Sequence, residues 1–87
     1  MMTTETMIDA DTEALHAIAE HFPNIEVVHL PVTHSHRYRW EVQLIDPRQY
    51  LGEIELAEPD ILQSDTERRI ILRREFLRIL KETGRDR

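Results

Sequence analysis

Residues 37–45 read RYRWEVQLI, and their apolar side chains fall on every second position. Tyr38, Trp40, Val42 and Leu44 therefore share one face of an extended strand, and Arg37, Arg39, Glu41 and Gln43 share the other. The segment YLGEIEL (50–56) repeats the alternation, with Tyr50, Gly52, Ile54 and Leu56 opposed to Leu51, Glu53 and Glu55. Between the two lies Asp46-Pro47-Arg48-Gln49, a turn in which proline presets the second dihedral, so the strands pair as a hairpin. One face of that hairpin is aromatic and aliphatic. The other sets Arg37, Arg39 and Glu41 beside Glu53 and Glu55, and opposite charges across a strand pair favour one register. Upstream, IEVVHLPV (25–32) is rich in β-branched residues but holds Pro31, which has no amide proton for a ladder; it reads as an edge strand or one that ends there.

Both ends of the chain change period from two to about 3.6. Leu15, Ile18, Ala19 and Phe22 form one stripe of a short helix with Asp11 or Thr12 as its N-cap, ended by Pro23 and Asn24. AEPDILQ (57–63) is a connection. Ser64, with Glu67 three residues on, opens a longer helix over 65–83, and Gly84 closes it. Steps of about 100° gather Ile70, Leu72, Phe76, Leu77, Ile79 and Leu80 on half of that helix. Arg69 and Arg73 fall inside this apolar half, and Ile71 falls outside it. Arginines at such positions either snorkel past the sheet edge or mark a second contact surface.

The order is α-β-β-β-α: an α+β fold in which one face of a three-stranded antiparallel sheet is covered by an N-terminal and a longer C-terminal helix. Residues 1–10 read as a flexible N-terminus, 11–84 as one domain and 85–87 as a C-terminal tail. Double-stranded-RNA-binding domains share this element order. The glycine-rich and lysine-rich turns by which they grip RNA are absent here, so the order alone assigns no family.

Charge divides the chain. Its net of −6 combines six acids and no Lys or Arg before residue 37 with eight basic residues against three acids from Arg68 to Arg87. A basic helix of this kind is either a solvated face or one that meets an acidic surface. Ten of the eleven basic residues are arginine, which suits bidentate pairing. No cysteine is present, which excludes disulfides, a thiol nucleophile and Cys-ligated metal. The acidic opening MMTTETMIDADTEA reads as neither a signal nor a transit peptide, and no stretch has the roughly 18 apolar residues of a membrane span. The expectation is a soluble cytoplasmic protein with no membrane contact.

Candidate chemistry is sparse. His29, His34 and His36 flank one turn, a spacing that three imidazoles can use for a metal, but no carboxylate is fixed beside them and His-x-His is common in polar turns. His16 and His21 face different directions on the first helix. No nucleophile elbow, phosphate loop, dinucleotide fingerprint or His-Glu-x-x-His sequence occurs, and two glycines do not build a phosphate-wrapping loop. The chain thus reads as no enzyme, with no cofactor and no metal. Tyr38 and Trp40 alternate with Arg37 and Arg39, so the aromatics belong to the covered face and do not make a stacking platform for nucleic acid.

The function expected is protein binding, as an adaptor, regulator or inhibitor subunit, through the C-terminal helix and the outer sheet face. Its partner-binding residues are Arg69, Ile71, Arg73, Arg74, Arg78 and Lys81 with Arg37 and Arg39. A homodimer would let Arg69 and Arg73 meet Glu53, Glu55 or the acidic N-terminal helix of the other copy. The alternatives are a nucleic-acid-binding regulator using Arg68, Arg74, Arg78 and Lys81, and a small metal-dependent enzyme using the His29/His34/His36 turn.

Overall fold

The computed structural model describes residues 4–31 and 37–84. In chain order these form helix α1 (Thr4–Ala19), strands β1 (Ile25–His29), β2 (Tyr38–Leu44) and β3 (Gln49–Leu56), the one-turn helix α2 (Glu58–Ile61), and helix α3 (Asp65–Glu82). The strands make one antiparallel sheet in the order β1-β2-β3. Helix α1 packs on β1, α3 packs on β3, and the helices pack on each other. This is the α+β arrangement expected from the alternation of the strands and the two helical stripes.

The sheet's inner face follows from the register. Val27 lies opposite Val42, His29 opposite Trp40, and Trp40 opposite Ile54. These columns, with Leu44 and Leu56, meet Ile8 and Leu15 of α1 and Leu72, Phe76, Ile79 and Leu80 of α3 in one core. Phe22, just past α1, sets its ring edge-on to Phe76 at 5.7 Å between centroids. The free edge of β1 is guarded, because His16 of α1 donates from Nε2 to the carbonyl of Val27 at 2.9 Å. Asn24, with φ of 66°, clamps the β2–β3 turn: its backbone carbonyl accepts from the Ile45 amide, its side-chain amide donates to the Asp46 carbonyl, and its Oδ1 accepts from the Asp46 amide. The Asp46–Pro47 peptide in that turn is cis.

Three sequence expectations are corrected. Helix α1 begins at Thr4 and not near Asp11, so residues 4–10, expected as part of a flexible N-terminus, belong to the domain. The reason is Ile8, which is 2 % exposed and extends the apolar stripe upstream of Leu15. On β3 the pairing slips between Val42 and Gln43: Gly52 faces Val42 but Tyr50 faces Gln43, leaving Leu51 as a bulge. Beyond that extra residue the faces exchange, so Tyr50 turns outward and is 57 % exposed while Leu51 packs against the core. On α3 the buried stripe is Arg68, Leu72, Phe76, Ile79 and Leu80. Ile70, expected inside, is 59 % exposed, and Ile71, expected outside, packs against the core.

Gly52 fixes how closely α3 approaches the sheet. A Cβ there would lie 2.9 Å from both Cγ atoms of Ile79, well inside van der Waals contact. Gly52→Ala is therefore expected to lower stability by about 1–3 kcal/mol, as overpacking does elsewhere. Urea unfolding checks this; an alanine variant as stable as the parent would mean that the helix does not sit on this strand.

Candidate interaction surface

Two polar residues that resemble N-caps in the sequence lie inside α1 and bind across the fold. Asp11 is 1 % exposed, and its Oδ2 accepts from Nε of Arg68, itself 1 % exposed, at 2.9 Å. The Arg68 guanidinium also donates to the carbonyl of Gln63 at 2.7 Å and to the carboxylate of Asp65. Burial pushes the Asp11 carboxyl above its ordinary pKa, against the opposing pull of Arg68. Burial likewise acts to discharge Arg68, but its bonds to Asp11 and Asp65 outweigh that effect and hold it charged. One residue on, Thr12 donates to the carbonyl of Ile8 at 2.8 Å and accepts from the indole Nε1 of Trp40 at 2.7 Å. Helix α1 is thus tied to α3 by an ion pair and to the sheet by a hydrogen bond, each in a low-dielectric interior where a missing partner is costly.

This tie sets the outer surface of the helical layer. Asp11 stands level with Arg68 and Phe22 with Phe76, so α1 and α3 run side by side in the same direction. With Ile8, Asp11, Leu15 and Ala19 facing inward, Asp9 and Glu13 on α1 and Glu20 just past its end form an exposed acidic stripe. With Arg68, Leu72 and Phe76 facing inward, Ile70, Arg74 and Lys81 point away from the sheet along α3. Between the helices runs a groove of about 360 Å³ lined by Ala17, Ile18, His21, Phe22, Arg73 and Leu77.

The expected partner-binding residues separate into two groups. Arg69, Arg73, Arg74 and Lys81 are exposed, and none forms an ion pair among the described residues. The others are engaged within the chain. Arg78 bridges Glu75 at 2.8 Å and Glu82 at 3.0 Å, Arg37 pairs with Glu55 at 3.0 Å, and Arg39 with Glu53 at 3.5 Å. Ile71 contributes to this chain's own core. Arg68, expected on the outer side as a phosphate contact, is the buried partner of Asp11, so the nucleic-acid alternative loses that residue. Glu13 and Glu20, anticipated only as part of an acidic N-terminal helix, and Ile70, expected on the apolar half of α3, complete the surface. The acidic spacing 9, 13, 20 on a 3.6-residue period is the signal that would have found the first two.

The outer sheet face is nearly self-neutralised. Besides Arg37–Glu55 and Arg39–Glu53, Arg48 reaches Glu26 at 3.0 Å. Glu41 stands directly opposite Glu53. The inner face holds Trp40, fully buried, with the ring of His29 stacked on it at 5.5 Å. The Nε2 of His29 is buried without a hydrogen-bond partner. His34 and His36 lie outside the described residues, and among those residues no three His, Asp or Glu side chains converge as a metal site. No described helix is long and apolar enough to cross a membrane.

No family model matches the chain, and neither the curated proteins nor the solved structures include one that matches it.

The Asp11–Arg68 pair yields a mutational prediction. Asp11→Ala leaves a buried guanidinium with only Asp65 and a carbonyl, and is expected to cost about 3 kcal/mol. Replacing both partners by apolar residues, as in Asp11→Leu with Arg68→Met, should recover most of that loss because no charge remains buried. Denaturant unfolding of the parent and the two variants checks both statements, and a loss below about 1 kcal/mol for Asp11→Ala would show that the pair does not hold the helices.

Proposed function

We propose that the chain is a small protein-interaction module without catalytic activity of its own, an adaptor or regulatory subunit, and that the outer surface of α1 and α3 is its binding face. The observation that carries this reading is the contrast in charge pairing. Cations on the sheet and at Arg78 are neutralised within the chain, whereas Arg69, Arg73 and Arg74 flank an exposed Ile70, with Lys81 further along α3, all four without ion-pair partners among the described residues. Exposed arginine beside an apolar side chain and an apolar groove is the composition of protein interfaces.

The same cations support a second reading, binding of nucleic acid along α3. Opposing it are the adjacent acidic stripe of α1 and the chain's net charge of −6, which repel phosphate on the same side of the molecule. The aromatic Trp40 is in the core and offers no stacking surface.

Photocrosslinking in the native host tests the assignment. A photoreactive amino acid in place of Ile70 is expected to give a discrete protein adduct, and one in place of Tyr50, on the outer sheet face, a weaker adduct or none. Adducts only from position 50 would move the binding face to the sheet. Nuclease-sensitive adducts at position 70 would favour nucleic acid.

A further inference from the structure

We propose that the occupant of the helical layer is a second copy of this chain, packed layer against layer about a two-fold axis parallel to the helices, so that α1 of each copy lies over α3 of the other. The inference rests on the layer being an interaction face and adds its partner and geometry.

The charge pattern selects this arrangement from the alternatives. Because α1 and α3 run in the same direction, a two-fold axis in the plane of the layer lies either across the helices or along them. An axis across them stacks α1 on α1 and α3 on α3. The acidic stripe of Glu13 and Glu20 then faces the acidic stripe of the other copy, and the basic stripe of Arg74 and Lys81 faces its basic stripe, which sets like charge against like. An axis along them places the acidic stripe over the basic one and leaves every residue at its own height.

Those heights interlock. With Asp11 level with Arg68, Glu13 stands near Ile70 of the other copy, Arg74 falls between Glu13 and Glu20, and Lys81 lies just beyond Glu20. Each contact occurs twice because the interface is isologous. The axis itself runs over the groove, so Ala17, Ile18 and Leu77 face their own counterparts and supply apolar contact there, and His21 and Arg73 of the same lining also meet theirs. Arg74 and Lys81, left without ion pairs on one chain, thereby gain acidic partners on the next.

The test is a charge swap read by sedimentation. One variant carries Glu13→Arg and Glu20→Arg, the other Arg74→Glu and Lys81→Glu; all four positions are exposed, and circular dichroism confirms that each variant folds. The single substitutions Glu20→Arg and Arg74→Glu replace any double variant that does not. The parent chain is expected to be dimeric at a concentration on the order of 100 µM, and each variant alone to dimerise at least about tenfold more weakly, since like charges then meet at symmetric contacts. Mixing the two variants should restore a dimer of one copy of each, because the arginines introduced on one chain then oppose the glutamates introduced on the other. A parent chain that is monomeric at that concentration overturns the second-copy proposal, and a protein adduct of different mass at position 70 would still uphold the binding face. Variants as dimeric as the parent, or a mixture that stays monomeric, overturn the geometry.

Discussion

Inside the helical layer a single guanidinium decides how the two helices stand. Arg68 holds Asp11 of α1, the end of the preceding connection at Gln63, and Asp65 in its own first turn. Any slide or rotation of α1 on α3 would strand a charge in the apolar interior, a far larger penalty than the loss of a few van der Waals contacts. The apolar residues around it, Ile8, Leu15, Leu72 and Phe76, supply attraction but tolerate small shifts. Asp11 and Arg68 make one alignment of the helices preferable to its neighbours.

What happens outside depends on that alignment. The acidic and basic stripes are set at opposite sides of one groove because Asp11 and Arg68 fix the phase of each helix, turning Glu13 and Glu20 outward on α1 and Arg74 and Lys81 outward on α3. Gly52 lets Ile79 approach the sheet, and Trp40 with Thr12 secures the other helix. The sheet's open face, with its arginines already matched to glutamates, has little unsatisfied charge to offer a partner. The asymmetry between the two faces supports assigning interaction to the helices.

Much of the fold was legible from local pattern. The alternation of Tyr38, Trp40, Val42 and Leu44 gave the central strand and its buried face, and Ser64 marked the start of α3, where its hydroxyl accepts from the Glu67 amide at 3.2 Å. The misses share a cause: they depend on partners distant in the chain. Asp11 looks like a cap until Arg68 is brought to it from 57 residues away, and Thr12 looks like one until Trp40 arrives from 28 away. A helical wheel centred on the apolar residues alone leaves Arg68 out of the buried half and turns α3 too far, which exchanges Ile70 with Ile71. The bulge at Leu51 leaves the alternation of YLGEIEL intact in sequence while inverting Tyr50 in space. Of the candidate surface, the basic residues were visible as a charge run. The acidic N-terminal helix was visible as a counterpart, but which of its acids face outward follows only from Ile8, Asp11 and Leu15 facing in.

Native-state hydrogen exchange tests whether α1 and α3 form one unit locked by Asp11 and Arg68. In such a unit the amides around Leu15 on α1 and around Phe76 on α3 exchange with the same opening free energy and shift together with denaturant. Exchange of α1 at a markedly lower free energy, with α3 still protected, would show that the first helix opens independently, and the outer surface would then have no fixed register of charge.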